Sequence, residues 1–145
     1  MRHLVFSVIL VCASLVSAQP KAAGQVIVDI VGLHSDKGRV PVALYCGEAG
    51  FPGEFKKACA SQVAHSKDRR VHLVFDKVPA GEFAVSMFHD ENANSTLDRN
   101  FLGIPKEGWG TSRDAKANFG PPKYSDARLS LRAGERKQVV VHVQY

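Results

Sequence analysis

The sequence lacks the features that mark a membrane-spanning protein, a zinc protein or the commoner hydrolases. Only 3 of its 145 residues are cysteine, which is too few for the paired Cys motifs of zinc domains. After the first 18 residues, no apolar run approaches the about 20 residues that a spanning helix needs. The chain contains no HExxH, no Gly-x-Ser-x-Gly and no glycine-rich phosphate loop. These absences argue against membrane-spanning, metalloprotease, serine hydrolase and nucleotide-binding classes.

The charge of the chain is only weakly basic and is spread along it. The formal net charge is +5, from 19 basic and 14 acidic residues. The densest basic group is Lys67, Arg69 and Arg70, which has Asp68 in its midst. A nucleic-acid-binding surface more often combines a basic face with interleaved aromatic residues. We therefore expect a surface of mixed sign and no nucleic-acid partner.

The first 18 residues have the pattern of a secretory signal peptide. Arg2 is followed by the apolar run 4–11, and small residues lead to Val16-Ser17-Ala18. A basic start, a short apolar core and a small-residue cleavage site define such peptides. The sequence predicts cleavage after Ala18, one domain over 19–145, and export to the periplasm or beyond. The oligomeric state is not indicated.

Cysteine usage agrees with an exported protein. Cys12 lies in the predicted signal peptide, which leaves Cys46 and Cys59 as a pair in an oxidising compartment. We expect these two residues to form a disulfide bond. Closing so short a loop contributes about 3 kcal/mol in the chain-entropy model.

Most of the remaining chain alternates apolar and polar residues, which is typical of β-strands. The pattern predicts strands around Val26–Ile30, Val40–Leu44, Val71–Phe75, Phe83–Met87, Leu129–Leu131 and Val139–Val143. Short strands separated by turn residues favour an all-β fold, a two-layer antiparallel β-sandwich. The apolar run Val139-Val140-Val141 suggests a central strand that is covered on both faces.

Two segments depart from this alternation. The segment 47–60 contains Pro52 near its start and has Phe51 and Phe55 four residues apart, so we expect one short helix there. The second segment, from His89 to about Ser125, is long and irregular. Loops of that length in compact domains are usually functional or disordered, and its aromatic residues argue for order.

The start of this loop is similar to a calcium-binding loop. Oxygen-bearing residues occupy positions 1, 3, 5, 7 and 9 of the pattern, namely Asp90, Asn92, Asn94, Thr96 and Asp98. Position 6 is Ser95 instead of glycine and position 12 is Phe101 instead of glutamate, so another oxygen donor such as Glu107 would have to complete the site. The alternative is a turn in which Asn and Asp side chains bind nearby backbone amides. Both interpretations remain open, and calcium is the only cofactor that the sequence suggests.

Four further residues of the loop are candidates for contact with a ligand or partner. His89 could act as a base or a metal ligand, or could hold the loop through its ring nitrogens. Trp109, Phe101 and Tyr124 could form an aromatic platform, or Trp109 could anchor the loop.

Long stretches of the chain resemble a known family. The runs are 89–98, Asn100-Phe101-Leu102-Gly103-Ile104-Pro105-Lys106-Glu107-Gly108-Trp109-Gly110, and Phe119-Gly120-Pro121-Pro122, together with Val78-Pro79-Ala80-Gly81-Glu82-Phe83-Ala84-Val85. They resemble domain-of-unknown-function family 2141, a group of exported bacterial proteins. The last run also looks like the strand entry of transthyretin-like sandwiches. The resemblance implies a transthyretin-like β-sandwich and carries over no activity. The family usually has Asn-Gly where this chain has Asn94-Ser95.

The sequence thus favours an exported, non-catalytic β-sandwich module that binds an unidentified ligand or protein through the loop 89–124, with calcium as a structural pin of that loop. One alternative is a metal-assisted hydrolase that uses His89, Asp90 and Glu107. Another is an accessory protein that pairs with a partner through a sheet edge.

Overall fold

The computed structural model describes residues 22–145, and the predicted signal peptide lies outside the described residues. Eight strands form two sheets, as expected for an all-β sandwich. The strands are β1 (Gly24–Val31), β2 (Val40–Tyr45), β3 (Ala60–Ala64), β4 (Arg70–Val78), β5 (Gly81–Phe88), β6 (Trp109–Thr111), β7 (Leu129–Leu131) and β8 (Arg136–His142). None of the helices in this part of the chain is long and apolar enough to cross a membrane.

The two sheets differ in their number of strands and in the relative directions of neighbouring strands. The three-stranded sheet has the order β4-β1-β8, and the five-stranded sheet has the order β3-β2-β5-β6 with β7 also paired to β5. The expectation of a purely antiparallel sandwich is wrong at one place, because β1 and β8 are parallel. These strands are the first and the last of the described chain, so no hairpin dictates their relative direction.

The core lies between the sheets and is built by the predicted alternation. Val26, Val28 and Ile30 of β1 are fully buried and face the other sheet, which contributes Val42 and Val85 among others. Burial of such aliphatic side chains supplies about 1.5–3 kcal/mol each relative to exposure. This core makes the sandwich the rigid support of the loops at its ends.

The last strand is not central, contrary to the sequence-based expectation. β8 lies at the edge of the three-stranded sheet, and β1 occupies its centre. Val139 and Val141 face the core, whereas Val140 on the opposite face is 44% exposed. An uninterrupted apolar run therefore does not identify a strand that is covered on both faces, since one exposed valine is common at a protein surface.

The outer face of the five-stranded sheet is covered by two loop segments. Phe51 packs edge-on against Tyr45, and Phe55 packs edge-on against Phe88. Further along the chain, Ala115 and Ala127 pack against Ala84 of β5. Residues of β5 are consequently buried on both faces.

The expected helix in 47–60 is wrong, apart from one 3-10 turn at Phe55–Lys57. The predicted Cys46–Cys59 disulfide is present and holds the two Cα atoms 5.8 Å apart. A helix of only eight residues is already about 12 Å long, so the segment must double back instead. Phe51 and Phe55 therefore pack on different partners rather than on each other.

The one α-helix among residues 22–145 begins at the end of the segment that the sequence marked as a loop. It is α1 (Tyr124–Ala127), and it packs on the outer face of β5. The segment between β6 and β7 crosses this face because both strands pair with the same edge of β5. In the gap between them, the Ser112 hydroxyl accepts a 2.9 Å bond from the Val85 amide and donates to the Ala127 carbonyl. Ser112 looks like an ordinary loop serine in the sequence. In the structure, its hydroxyl bridges β5 and the end of α1 in the gap between β6 and β7.

Candidate functional site

Residues 89–108, here called the cap, fold against one end of the sandwich. The cap begins directly after β5 and ends at β6, and the His89 amide donates to the Gly108 carbonyl across its base. Arg39 and Asp90 exchange two backbone hydrogen bonds of 3.0 and 2.9 Å, which tie the cap to the start of β2. Hydrogen bonds therefore join the base of the cap to the chain next to β2 and to the chain next to β6, which lie on either side of β5.

Gly38 allows the cap to approach this closely. Its φ angle is +67°, and a Cβ atom at this position would overlap the backbone carbonyl of Asp90 and the backbone of Glu91. Only glycine adopts this conformation without strain and leaves the required space. The sequence already indicates a turn at 35–38. In the structure, this turn also provides the surface against which the cap packs.

His89 is fully buried beneath the cap, and both of its ring nitrogens are engaged. Nε2 lies 2.9 Å from the Lys37 carbonyl oxygen, so it carries a hydrogen and donates. Nδ1 lies 2.8 Å from the hydroxyl of Tyr145 and 3.3 Å from Oε1 of Glu91. The same hydroxyl accepts from the His34 amide at 2.9 Å. Burial, together with the nearby Glu91 carboxylate, raises the pKa of Tyr145, which keeps this hydroxyl protonated.

Tyr145 lies outside the cap but supports it, and the sequence did not reveal this role. Its ring stacks on His34 at a centroid distance of 3.4 Å, and it packs so closely on Gly108 that a Cβ there would overlap the ring. No local pattern marks a terminal aromatic residue as part of a loop that lies 37 or more positions away. The glycines that flank Trp109 are the one indirect signal, because they suggest close packing at that point.

Asp90 organises the first turn of the cap from a fully buried position. One carboxylate oxygen accepts from Arg39 Nε at 2.9 Å and from the Ser95 amide, and the other accepts from the Asn94 amide. Burial alone would raise the pKa of Asp90, but the hydrogen bonds from Arg39 and the two amides outweigh it and hold the pKa below its usual value. The Arg39 guanidinium also donates to the Ala93 carbonyl.

The other residues of the predicted calcium loop are linked to one another. Asp98 accepts side-chain amide hydrogens from Asn92 at 2.7 Å and Asn94 at 3.0 Å, and Asn94 Oδ1 accepts from the amide and hydroxyl of Thr96. Glu107 is buried, and its two oxygens accept from the amides of Glu91 and Asp98. This is the geometry of a loop closed by Asn and Asp side chains. Within residues 22–145, no group of three or more His, Cys, Asp or Glu side chains is placed to hold a metal ion. Calcium binding stays a prediction.

The far end of the cap is an ordered turn, the apex, formed by residues 99–105. The Asn100 side chain accepts from the amides of Leu102 and Ile104, and the Asn100 amide donates to the Ile104 carbonyl at 2.8 Å. Despite this order, the turn exposes Phe101 by 96%, Leu102 by 69% and Ile104 by 55%. Folding usually buries such side chains, and neighbouring exposed ones often mark an interaction site.

The three aromatic residues of the predicted platform lie in different surroundings. Phe101 is on the apex, Trp109 is half-buried in β6 opposite Phe88, and Tyr124 packs against Phe51 at 5.8 Å over the outer face of the five-stranded sheet, beside β5. The structure therefore does not join them into one aromatic surface. Trp109 exchanges two backbone hydrogen bonds with Gln144, so its strand anchors the end of the cap.

The residues proposed for a metal-assisted hydrolase are close together in the chain's fold but are already engaged. His89 has both nitrogens bonded, and the oxygens of Asp90 and Glu107 accept from backbone or arginine donors, as described above. Their shared arrangement stabilises the cap.

The family model "uncharacterized protein conserved in bacteria (DUF2141)" matches residues 28–139. The chain belongs to this family. The match includes the cap, the apex and strands β2 to β7, and it begins within β1 and ends within β8. No curated protein matches the chain, and no solved structure matches it.

Proposed function

We propose that this DUF2141 protein is an exported, non-catalytic module that binds a partner protein through the apex. One observation carries the proposal: Phe101, Leu102 and Ile104 project into solvent from a backbone that hydrogen bonds hold in one conformation. A preorganised apolar turn loses little conformational entropy on binding. Large apolar side chains at such a point are the usual anchors of a protein interface.

The net charge of the cap as a whole favours a protein partner over an anionic membrane. The cap contains four acidic residues and two basic residues outside its histidine, a net charge of −2. The acidic residues are Asp90, Glu91, Asp98 and Glu107, and the basic ones are Arg99 and Lys106. Anionic lipid headgroups attract basic clusters, whereas a protein can offer an apolar pocket with a complementary rim.

The test compares a variant that removes exposed apolar groups from the apex with one that removes an exposed apolar group elsewhere. Phe101→Ser/Leu102→Ser alters the apex, and Phe119→Ser removes another side chain that is 96% exposed but lies outside the cap. Each immobilised protein is incubated with an extracytoplasmic extract of the source bacterium, and the retained proteins are quantified. We expect the wild type and Phe119→Ser to retain the same protein, and the apex variant to lose it. Equal retention by all three would contradict the proposal, as would apex-dependent sedimentation with phospholipid vesicles.

Export is the second part of the proposal and is supported by two features. The first 18 residues have the signal-peptide pattern, and the Cys46–Cys59 bond is typical of proteins folded outside the reducing cytosol.

A further inference from the structure

The outer faces of the two sheets differ in whether other chain segments cover them. The outer face of the five-stranded sheet is covered by the segments around Phe51 and Ala115, whereas in residues 22–145 no segment packs over the outer face of the three-stranded sheet. On that open face, a shallow cavity of about 790 Å³ lies at the end of β1. Six ionisable side chains line it, and they are Asp29, His65, Lys67, Arg70, His72 and His142. We call this surface the histidine face.

The sheet register brings these side chains together. Val31 of β1 is paired with Arg70 on one side and with His142 on the other, so these residues form one row across the sheet. Asp29 is paired with His72 in the next row on the same face. His65 and Lys67 border the rows from the connection between β3 and β4.

All three histidines on this face are hydrogen bonded through the same ring atom. In each ring Nδ1 lies within hydrogen-bond distance of an oxygen that can only accept: Asp29 at 2.6 Å for His72, Asp114 at 2.7 Å for His142, and the Gly38 carbonyl at 3.1 Å for His65. Nδ1 therefore carries the hydrogen in each ring. The Nε2 atoms have no hydrogen-bond partner among the described residues. On protonation, each ring would present a charged N–H donor to a ligand.

Protonation of these rings raises the positive charge of the surface. The fixed charges that line the cavity are two positive ones, on Lys67 and Arg70, and one negative one, on Asp29. Asp36 accepts from the amides of Asp68 and Arg69, and Asp114 accepts from His142. Burial alone would raise the pKa of Asp29, but bonds from His72 and Gln138 hold it below its usual value, so Asp29 stays charged at mildly acidic pH. Each protonated histidine would add one positive charge to the surface.

We propose that the histidine face binds phosphate-bearing ligands, and that protonation of His65, His72 and His142 strengthens this binding. Arg70 and Lys67 supply permanent cationic donors, neither of which has an ion pair among the described residues. Arginine suits the paired oxygens of a phosphate group, and histidine is the side chain that titrates in the range required. This site is separate from the apex.

The probe for this proposal is pyrophosphate, titrated into the protein at pH 5.5 and pH 7.5 by calorimetry. We expect binding at pH 5.5 to be at least about tenfold tighter than at pH 7.5. Arg70→Gln should weaken binding at pH 5.5 by about tenfold, because it removes a charge-assisted donor. His72→Gln/His142→Gln should remove most of the difference between the two pH values. Amide spectra of the labelled protein should shift in β4 and β8.

Matched variants separate this site from general charge effects and from the apex. Arg136→Gln removes an exposed arginine from the other end of the same sheet, and Phe101→Ser/Leu102→Ser alters the apex; both should bind pyrophosphate as the wild type does. Urea unfolding checks that each variant is folded at both pH values. Equal affinity at the two pH values, or equal weakening by Arg70→Gln and Arg136→Gln, would overturn the proposal.

Discussion

At the scale of single residues, the cap depends most on Asp90. Its carboxylate is buried and accepts hydrogen bonds from one guanidinium and two backbone amides. Removing one partner of such an arrangement leaves the remaining donors unpaired in a buried place, which is more damaging than the loss of a surface ion pair. The sequence identified this residue as the first position of a loop pattern, and its role in the structure is to gather hydrogen-bond donors.

Asp90→Asn should therefore lower the free energy of unfolding by about 3 kcal/mol at pH 7. The pKa of Asp90 is lowered in the folded protein, so its stabilising contribution is complete above the unfolded value of about 4 and is lost as pH falls through the lower folded value. Urea unfolding of both proteins between pH 2.5 and 7 measures this.

The matched control is Asp98→Asn, whose carboxylate accepts only from Asn92 and Asn94 side chains near the surface. We expect it to change stability by less than about 1 kcal/mol. A difference between wild type and Asp90→Asn that stays constant down to pH 2.5 would show that the charge of Asp90 contributes nothing.

At the scale of elements, alternation predicted the strands and missed what depends on contacts distant in sequence. Val26, Val28 and Ile30 are buried as their spacing requires. The three-residue strand β6 was absent from the prediction, because Trp109-Gly110-Thr111 has too few residues to show a period and forms only against β5. β3 was also missed, since Ala60–Ala64 is weakly apolar.

The candidate site was predictable in location but not in construction. The polar, glycine-punctuated segment after β5 identified the cap, and its exposed Phe101 was among the residues selected. The roles of Tyr145, Gly38 and Arg39 depend on chain segments that meet only after folding. No local pattern connects a terminal tyrosine to a histidine 56 positions earlier, so sequence reasoning could not assign the partner of His89.

Calcium binding by the cap is tested through the melting temperature of the protein. If Asp90, Asn92, Asn94, Asp98 and the Thr96 carbonyl hold the ion, millimolar calcium must raise the melting temperature relative to EDTA, because a ligand of the folded state stabilises it. Asp98→Asn should remove the shift, since it deletes a charged ligand without the buried defect expected of Asp90→Asn. Superimposable melting curves in calcium and EDTA would eliminate the calcium prediction.

At the scale of the whole molecule, the fold presents two different surfaces on one rigid core. The cap lies at the end of the sandwich and carries an apolar apex, while the open face of the three-stranded sheet carries ionisable groups. Covering segments bury the outer face of the five-stranded sheet. Binding at two independent places is thus compatible with a single small scaffold.

Export and the disulfide are tested together by the intact mass of the protein recovered from the extracytoplasmic fraction. We expect a chain that begins at Gln19 and is lighter by two hydrogens than the reduced form, because of the Cys46–Cys59 bond. Recovery of the full-length chain in the cytoplasm, or a mass with two free thiols, would contradict export and the bond respectively.

The central claim is that the cap is ordered and presents its apolar apex from a fixed backbone. Hydrogen exchange of individual amides tests it most directly. The amides of Asn94, Ser95, Asp98, Asn100 and Ile104 donate to acceptors within the cap, so we predict that they exchange far more slowly than in an unstructured peptide. Exchange of these amides at free-peptide rates, while β1 and β5 stay protected, would contradict the account.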